Sequence, residues 1–431
     1  MVIGSMKRLL VGGVAVTLAV GLAACGGGGD SGGGAQSVSE VTLYSDNPQW
    51  KDGFEKVSVD LKKLTGGTGI TPLSIPSTSS YEQVIRSSIT TPKTADIVKW
   101  WQGYRLQDLA RTGSLTDLTE VWDEAEKKGW VNPGLKDQFT YKGKVYGLPL
   151  SQSNWVVYYN KKLFAQLGLT PPKTWDEFLA ACEKLKGAGA APLWTGQTDG
   201  WTSFIPFEEF LSKSDPQFYQ DVTSGKASYT DEKAKKALAV WKEMIDKGYT
   251  SKTDIKFLDT PAQLKAGKLA MIPLGTWFNG TLSGAGLKPG EDYGAFLWPS
   301  INPSAPKSVI VESGVFAIPS AAPHKDAAIK VMKSWMDPAV QATWTEFLGD
   351  TSANPTVISK DPVLAEIAAE VKAMNPTLLT RYWEASPPAL VEGNVQDLGK
   401  FMLKPEEADS VLADMQKRAE TEWAAWRKAG G

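Results

Sequence analysis

The chain has 431 residues, 42% of them apolar, and a formal net charge of −2. That is long enough for two or more domains with buried cores, and it lacks the positive charge that nucleic acid or an anionic membrane surface attracts. One histidine (His324) and two cysteines (Cys25, Cys182) exclude His- or Cys-rich metal sites and the usual nucleophile–base pairs, and no Gly-x-x-x-x-Gly-Lys loop offers a phosphate cradle.

The N-terminus reads as a targeting segment. Lys7 and Arg8 precede a mostly apolar run from Leu9 to Leu22, which ends in Leu22-Ala23-Ala24-Cys25. This ending resembles a bacterial lipobox, which implies a diacylated Cys25 as the mature N-terminus. Two acyl chains suffice for stable anchoring, and the Gly/Ser-rich stretch 26–39 reads as a flexible tether. Translation starts at Met1 or Met6.

The folded body begins near Glu40. Val41–Tyr44 predicts a strand, and Phe54, Val57, Leu61 and Leu64 place one face of the next helix on a core. Between them, Ser45-Asp46-Asn47-Pro48-Gln49-Trp50 leaves the C-terminal end of a strand, the edge at which open α/β sheets bind ligands. Asp46 or Asn47 could equally cap the helix. A strand near Gly69–Ile75 and a helix through Tyr81, Val84, Ile85 and Ile89 lead to Ala95–Trp101. In a strand Trp100 and Trp101 point to opposite faces. One can then be core while the other faces a ligand, with Trp101 favoured.

The stretch from Tyr146 to Lys186 organises the rest. Val145–Leu150 and Trp155–Tyr159 predict strands, separated by Ser151-Gln152-Ser153-Asn154, small and amide side chains suited to a polar guest rather than a core. Thr174 caps a helix with Glu177 closing a capping box. Phe178, Cys182 and Leu185 form its apolar stripe, so Cys182 reads as a buried free thiol. Trp194 and Trp201 sit in a loop with little else apolar, which makes both candidates for ligand contact, whereas Leu238, Trp241 and Ile245 have core spacing. Leu274-Gly275-Thr276-Trp277 follows an apolar segment ending at Met271. Val309–Ile318 is broken by Glu312-Ser313-Gly314, where Glu312 and Ser313 could bind ligand or Gly314 merely allow a bend. His324 precedes the stripe Ala328, Met332 and Trp335 and reads as a helix start. Helices are expected at Ala328–Met336 and Leu364–Met374. Arg381 and Glu384 flank the pair Tyr382-Trp383 and hydrogen-bond ligand or each other. A last helix begins at Pro405.

The 17 tryptophans, about 4% of the chain, favour a site of flat aromatic faces, suited to the C–H faces of sugar rings or to cations. Tyr146-Gly147-Leu148-Pro149, Tyr158-Tyr159-Asn160-Lys161 with Leu163-Phe164, and Pro172-Lys173-Thr174-Trp175-Asp176-Glu177-Phe178 resemble the hinge region of family 1 extracellular solute-binding proteins, the sugar-capturing subunits of ABC importers. The likeness extends over most of the chain. Asp96-Ile97-Val98 is similar to a family strand, with Ala95 in place of its usual proline, and Gly113 to Leu118 matches a family turn. Gly275-Thr276-Trp277 resembles the segment whose Trp stacks on the sugar, so the resemblance implies Trp277 as the first ligand contact. It also implies hydroxyl binding by the Asp46–Asn47 loop, with Asp46 first, and Trp383 as a second platform.

The expectation is therefore an α/β protein with the two-lobe, type II periplasmic-binding-protein-like fold, each lobe a sheet flanked by helices and the cleft between them. Lobe 1 spans 40–151 and 313–360, and lobe 2 spans 152–312 and 361–431, with crossovers near 151–154, 311–314 and roughly 360–378. The expected function is capture of a mono- or oligosaccharide and its delivery to a membrane permease by a monomeric lipoprotein on the outer face of the cell membrane. No cofactor, metal or nucleic acid is expected. Ligand contacts are assigned to Trp277, Trp383, Asp46, Asn47, Trp101, Asn154, Trp194, Trp201, Glu312 and Arg381. The alternatives are a binding protein for a glycerol-phosphodiester or other polar metabolite, and a secreted glycoside-active enzyme using two of Asp46, Glu312 and Glu384.

Overall fold

The computed structural model describes residues 38–75 and 77–430, so Cys25 and nearly all of the tether lie outside the described residues. Thirteen strands occur among them: β1 (Glu40–Ser45), β2 (Gly69–Ser74), β3 (Ile97–Trp101), β4 (Thr140–Tyr141), β5 (Lys144–Val145), β6 (Leu148–Pro149), β7 (Ser153–Asn160), β8 (Ala191–Leu193), β9 (Leu269–Gly275), β10 (Tyr293–Phe296), β11 (Ser308–Glu312), β12 (Gly314–Ala317) and β13 (Thr377–Thr380). They form two main sheets. The first has the order β2-β1-β3-β12-β6; the second has the order β13-β11-β7-β9-β8, with β10 also pairing β7. A small hairpin joins β4 and β5.

The fold class agrees with expectation: each sheet is mixed, and helices flank both. In the first half, Phe54 of the helix Lys51–Thr65 stacks on Trp344 of the helix Pro338–Leu348, with ring centroids 4.5 Å apart, and Phe316 of β12 packs beside Trp335 at 4.6 Å. In the second, Trp241 packs against Phe401 at 4.9 Å, and Tyr158 of β7 packs against Phe278 and Tyr293. Burying such aromatics stabilises each half by about 1.5–3 kcal/mol per side chain. The Thr174–Glu177 capping box forms as expected, and His324 is the N-cap residue of the helix Lys325–Trp335. Cys182 is a buried free thiol, and burial pushes its pKa up to about 12.

Two crossings between the sheets run side by side. The chain leaves β6 at Pro149 and enters β7 at Ser153, and it returns from Glu312 of β11 to Gly314 of β12 across Ser313 alone. The Leu150 N–H donates to the Gly314 carbonyl at 2.9 Å. The third crossing lies earlier than 360–378. Pro362–Met374 is a helix lying against β10 of the second sheet, whereas Pro338–Leu348 packs on the first half, so the chain crosses within 349–361. The helix Pro338–Leu348 has a broadly apolar sequence rather than a clean stripe, which is why its boundary was not visible. Among the described residues no helix is long and apolar enough to cross a membrane.

Candidate functional site

The ends of β9, β11 and β13 bring three of the expected residues together. Trp277 follows β9 and is partly exposed; its ring lies 6.4 Å from Trp201 and 6.4 Å from Phe257, which are 5.7 Å from each other. The Trp277 indole N–H donates to Oε1 of Glu312, the last residue of β11. The indole folds back over Gly275, where a Cβ would collide with the ring and approach the Glu312 carboxylate. The Gly-x-Trp spacing thus has a steric cause: only a residue without a side chain fits beneath the ring.

Glu312 also pairs with Arg381, whose guanidinium is clasped on its other side by both oxygens of Glu384, Nε donating at 2.8 Å. Arg381 is set by its own N–H, which donates to Val311 of β11 at 3.2 Å. Two carboxylates share one cation, so the triad carries surplus negative charge. Burial pushes the pKa of Glu312 up to about 7, with Arg381 opposing the rise and Glu384 adding to it. For Arg381, burial acts to lower the pKa, but Glu312 and Glu384 more than offset it and the guanidinium is held above its ordinary value.

A second aromatic station lies at the end of β3. Trp100 is core and donates its N–H to the Arg105 carbonyl at 2.9 Å, whereas Trp101 is partly exposed. Lys99 lies 4.0 Å from the Trp101 ring centroid and pairs with Asp46 at 3.1 Å. Burial lowers the Lys99 pKa, with Asp46 opposing. Arg105, in the helix Gly103–Ala110, lies over Trp101 at 5.9 Å and over Trp383 at 4.7 Å, while pairing with Glu82 at 3.3 Å and Glu392 at 2.9 Å. Phe204 stacks on Trp383 at 6.2 Å. The helix of Arg105 starts at Gly103, whose φ of +60° and contact with the Glu384 carbonyl exclude a side chain there. The Gln102 amide donates to the Val311 carbonyl at 3.3 Å. One contiguous group of aromatic rings and paired charges therefore spans both sheets.

Trp277, Trp201, Glu312 and Arg381 meet directly, and Trp383, Trp101 and Asp46 join them through Arg105 and Lys99. Asn47 is partly exposed; its amide donates to Asp46 at 2.8 Å, and its carbonyl accepts from Gln49 at 2.9 Å. Two expectations need correction. Trp194 is only 1% exposed: its indole lies against Gly196 and donates to the Ile255 carbonyl at 3.0 Å, so the loop wraps around it as a core anchor. Asn154 is 2% exposed and faces hinge groups, its amide nearest Thr351 at 3.5 Å, because its backbone is locked to Thr276, the residue just past the neighbouring strand β9. The residues missed are Lys99, Arg105 and Phe257. Lys99 had a signal, a lone charge inside the apolar run Ile97–Trp101; the others had none, since they act through contacts remote in sequence.

The profile of the bacterial extracellular solute-binding protein family matches residues 56–374, about three quarters of the chain. The chain is 29% identical over 273 residues to a protein named "Probable sugar-binding periplasmic protein" from Mesorhizobium japonicum, covering 60% of this chain and 62% of that one. That match thus spans under two thirds of the relative's length. It is 41% identical over 111 residues to the sn-glycerol-3-phosphate-binding periplasmic protein UgpB of Rhizobium meliloti, a match limited to 24% of this chain and 25% of the relative. Among solved structures, the bacterial solute receptor AcbH, described as preferring β-D-galactopyranose, superposes with a TM-score of 0.77 at 20% identity, covering 89% of this chain and 98% of the receptor.

Proposed function

This chain belongs to the bacterial extracellular solute-binding proteins, and we propose that it captures an uncharged carbohydrate between its two lobes and delivers it to the membrane subunits of an ABC importer. The observation that carries this reading is the partly exposed wall of Trp201, Phe257 and Trp277 beside the Glu312–Arg381–Glu384 triad. The Trp277 face stacks on the apolar side of a sugar ring, and Trp201 extends that surface. Glu312, Arg381, Asp46 and Asn47 bind hydroxyls, with Trp101 and Trp383 at the margin. An unmatched buried polar group costs about 1–3 kcal/mol, so these partners set specificity more than the rings do.

The sheet membership of the strands supports a first lobe of 40–151 resumed at 313 and a second of 152–312 that includes Thr377–Thr380, and the helix packing moves the last boundary from 360 into the crossing at 349–361. The segment ending at Cys25 supports a lipoprotein anchored outside the cytoplasm. Capture rather than catalysis is supported by the way Glu312 and Glu384 both clasp Arg381 instead of flanking an open gap for a scissile bond. The partial UgpB likeness points to a phosphate ester instead. Against it, the cations of the site are already paired among the described residues: Arg381 with Glu312 and Glu384, Lys99 with Asp46, and Arg105 with Glu82 and Glu392.

A thermal-shift screen of mono- and oligosaccharides, with sn-glycerol 3-phosphate alongside, tests the reading, because a ligand that binds only the native state raises Tm. An uncharged sugar should raise it. A rise with the phosphate ester alone, or hydrolysis of aryl glycosides that Glu312→Gln abolishes, overturns it.

A further inference from the structure

The chain's crossings between the sheets meet at one buried carboxylate that the sugar-binding reading does not use. Asp350, 1% exposed, lies in the third crossing. Its Oδ1 accepts from the Thr276 hydroxyl at 2.5 Å and the Thr351 N–H at 2.7 Å, and its Oδ2 accepts from the Ser153 hydroxyl. The Ser151 hydroxyl is a further donor. Ser151 and Ser153 belong to the first crossing. Thr276 immediately precedes Trp277. Ser153 is the register partner of Glu312 at the second crossing, and Glu312 holds the Trp277 indole.

Backbone bonds close the same knot. The Thr351 hydroxyl donates to the Gln152 carbonyl, the Gln152 N–H donates to the Thr351 carbonyl at 3.1 Å, and the Asn154 N–H donates to the Thr276 hydroxyl at 3.1 Å. Among the described residues no ion pair reaches Asp350. A buried carboxylate without a cation is costly unless several donors surround it, and an amide or apolar side chain would fill the space at less cost. Hydroxyl donors differ from an ion pair in that they can re-aim by rotation about the C–O bond while the backbone that carries them turns, and lobe closure turns a few such linker residues.

We propose that Asp350 is the positioning residue of the ligand wall: it fastens Thr276, and with it the Trp277 ring, to the point where the crossings meet, so that the wall's orientation follows the angle between the lobes. This rests on the sugar-capture reading.

The test compares Asp350→Asn, Thr276→Val and Thr276→Ser with the unaltered chain. Spin labels at positions 63 and 288, exposed lysines on the two halves, report the interlobe distance by pulsed electron resonance. Calorimetry measures the affinity for whichever sugar the thermal-shift screen identifies. The expected result is a shifted or broadened interlobe distance in Asp350→Asn and Thr276→Val, with affinity weakened about tenfold, while Thr276→Ser, which keeps the hydroxyl, stays within about twofold of the parent. Unchanged distance and affinity in folded Asp350→Asn and Thr276→Val overturn the proposal, as does a Thr276→Ser variant that fails like the valine. Should Asp350→Asn not fold, the Val/Ser pair decides alone. If the parent binds no sugar, the functional reading fails, and the distance arm still judges the role of Asp350. If sugar binds and Trp277→Ala weakens it but the hinge variants do not, only the positioning role falls.

Discussion

Trp277 and Trp383 look alike in the sequence: each follows a strand and each adjoins a second aromatic residue, Phe278 or Tyr382. Their surroundings differ. Trp277 meets its aromatic neighbours Trp201, Phe257 and Phe278 at interplanar angles of 52°, 80° and 86°, and it is tethered through its N–H. Trp383 has Arg105 lying over its ring and Phe204 stacked on it. Arg105 comes from the first half of the chain and Trp383 from the second, so this ring belongs to a lobe-to-lobe contact. The lesson is that the faces of a ring, and not its residue type or position along the chain, decide whether it can receive a ligand.

Variants of the two cations sharpen this contrast most. Arg381→Met strips the shared partner from Glu312 and Glu384 and should cost about 3–5 kcal/mol in denaturant unfolding, the usual penalty for breaking a buried charge cluster. Arg105→Met should cost less, about 1–2 kcal/mol, because the side chains of Glu82 and Glu392 are 28% and 52% exposed and water can take over their charge. Equal costs would mean that the two stations are alike after all. Next in size, Trp277→Ala should weaken sugar binding by more than about tenfold, equivalent to about 1.4 kcal/mol. Trp383→Ala should leave affinity within about threefold while lowering stability by about 2–3 kcal/mol, as expected for a large, mostly packed ring. The reverse pattern would make Trp383 the platform. Gly275→Ala should weaken binding several-fold by lifting the indole off its seat, and an unchanged affinity would show that the ring does not need that seat.

Much of this arrangement was legible beforehand. The capping box at Thr174 and the break at Ser313-Gly314 depend on local chemistry within a few residues and appear where the sequence places them, whereas the strand expected over Val145–Leu150 is two short ones, Lys144–Val145 and Leu148–Pro149, and its successor starts at Ser153 rather than Trp155. What the sequence hid is what depends on partners remote along the chain, Asp350 with Ser153 and Arg105 with Glu392, together with the burial of Trp194 against the segment at Ile255. A loop tryptophan with few apolar neighbours in sequence can still find them in space, and no periodicity records that.

The smallest expected effect concerns what lies behind Trp383. The N–H of its neighbour Tyr382 donates to Glu208 at 2.8 Å, and Glu208 and Glu209 are both fully buried in the helix Ile205–Ser214. Burial pushes the pKa of Glu209 up to about 7 from 4.5, with Lys213, whose ammonium is 3.7 Å away, opposing the rise. A carboxyl with a raised folded-state pKa binds its proton more tightly in the folded than in the unfolded chain. Stability from Glu209 is therefore greatest below about 4.5, falls as pH rises towards about 7, and is flat above. Carboxylates such as Asp60 and Asp215 have lowered values, set for Asp60 first by its bond to Lys63 and for Asp215 by donors, Lys233 among them, that outweigh burial; they give the opposite slope, confined to more acid pH. Between pH 5 and 7 the buried acids should dominate, Glu312 with them. Glu209→Gln should flatten the decline in Tm across that window without changing sugar affinity, because Glu209 touches neither aromatic station. A Tm profile as steep as the parent's would mean that Lys213 keeps Glu209 ionised throughout, and that other buried acids whose pKa burial raises, Glu312, Glu208 and Asp350 among them, supply the pH dependence.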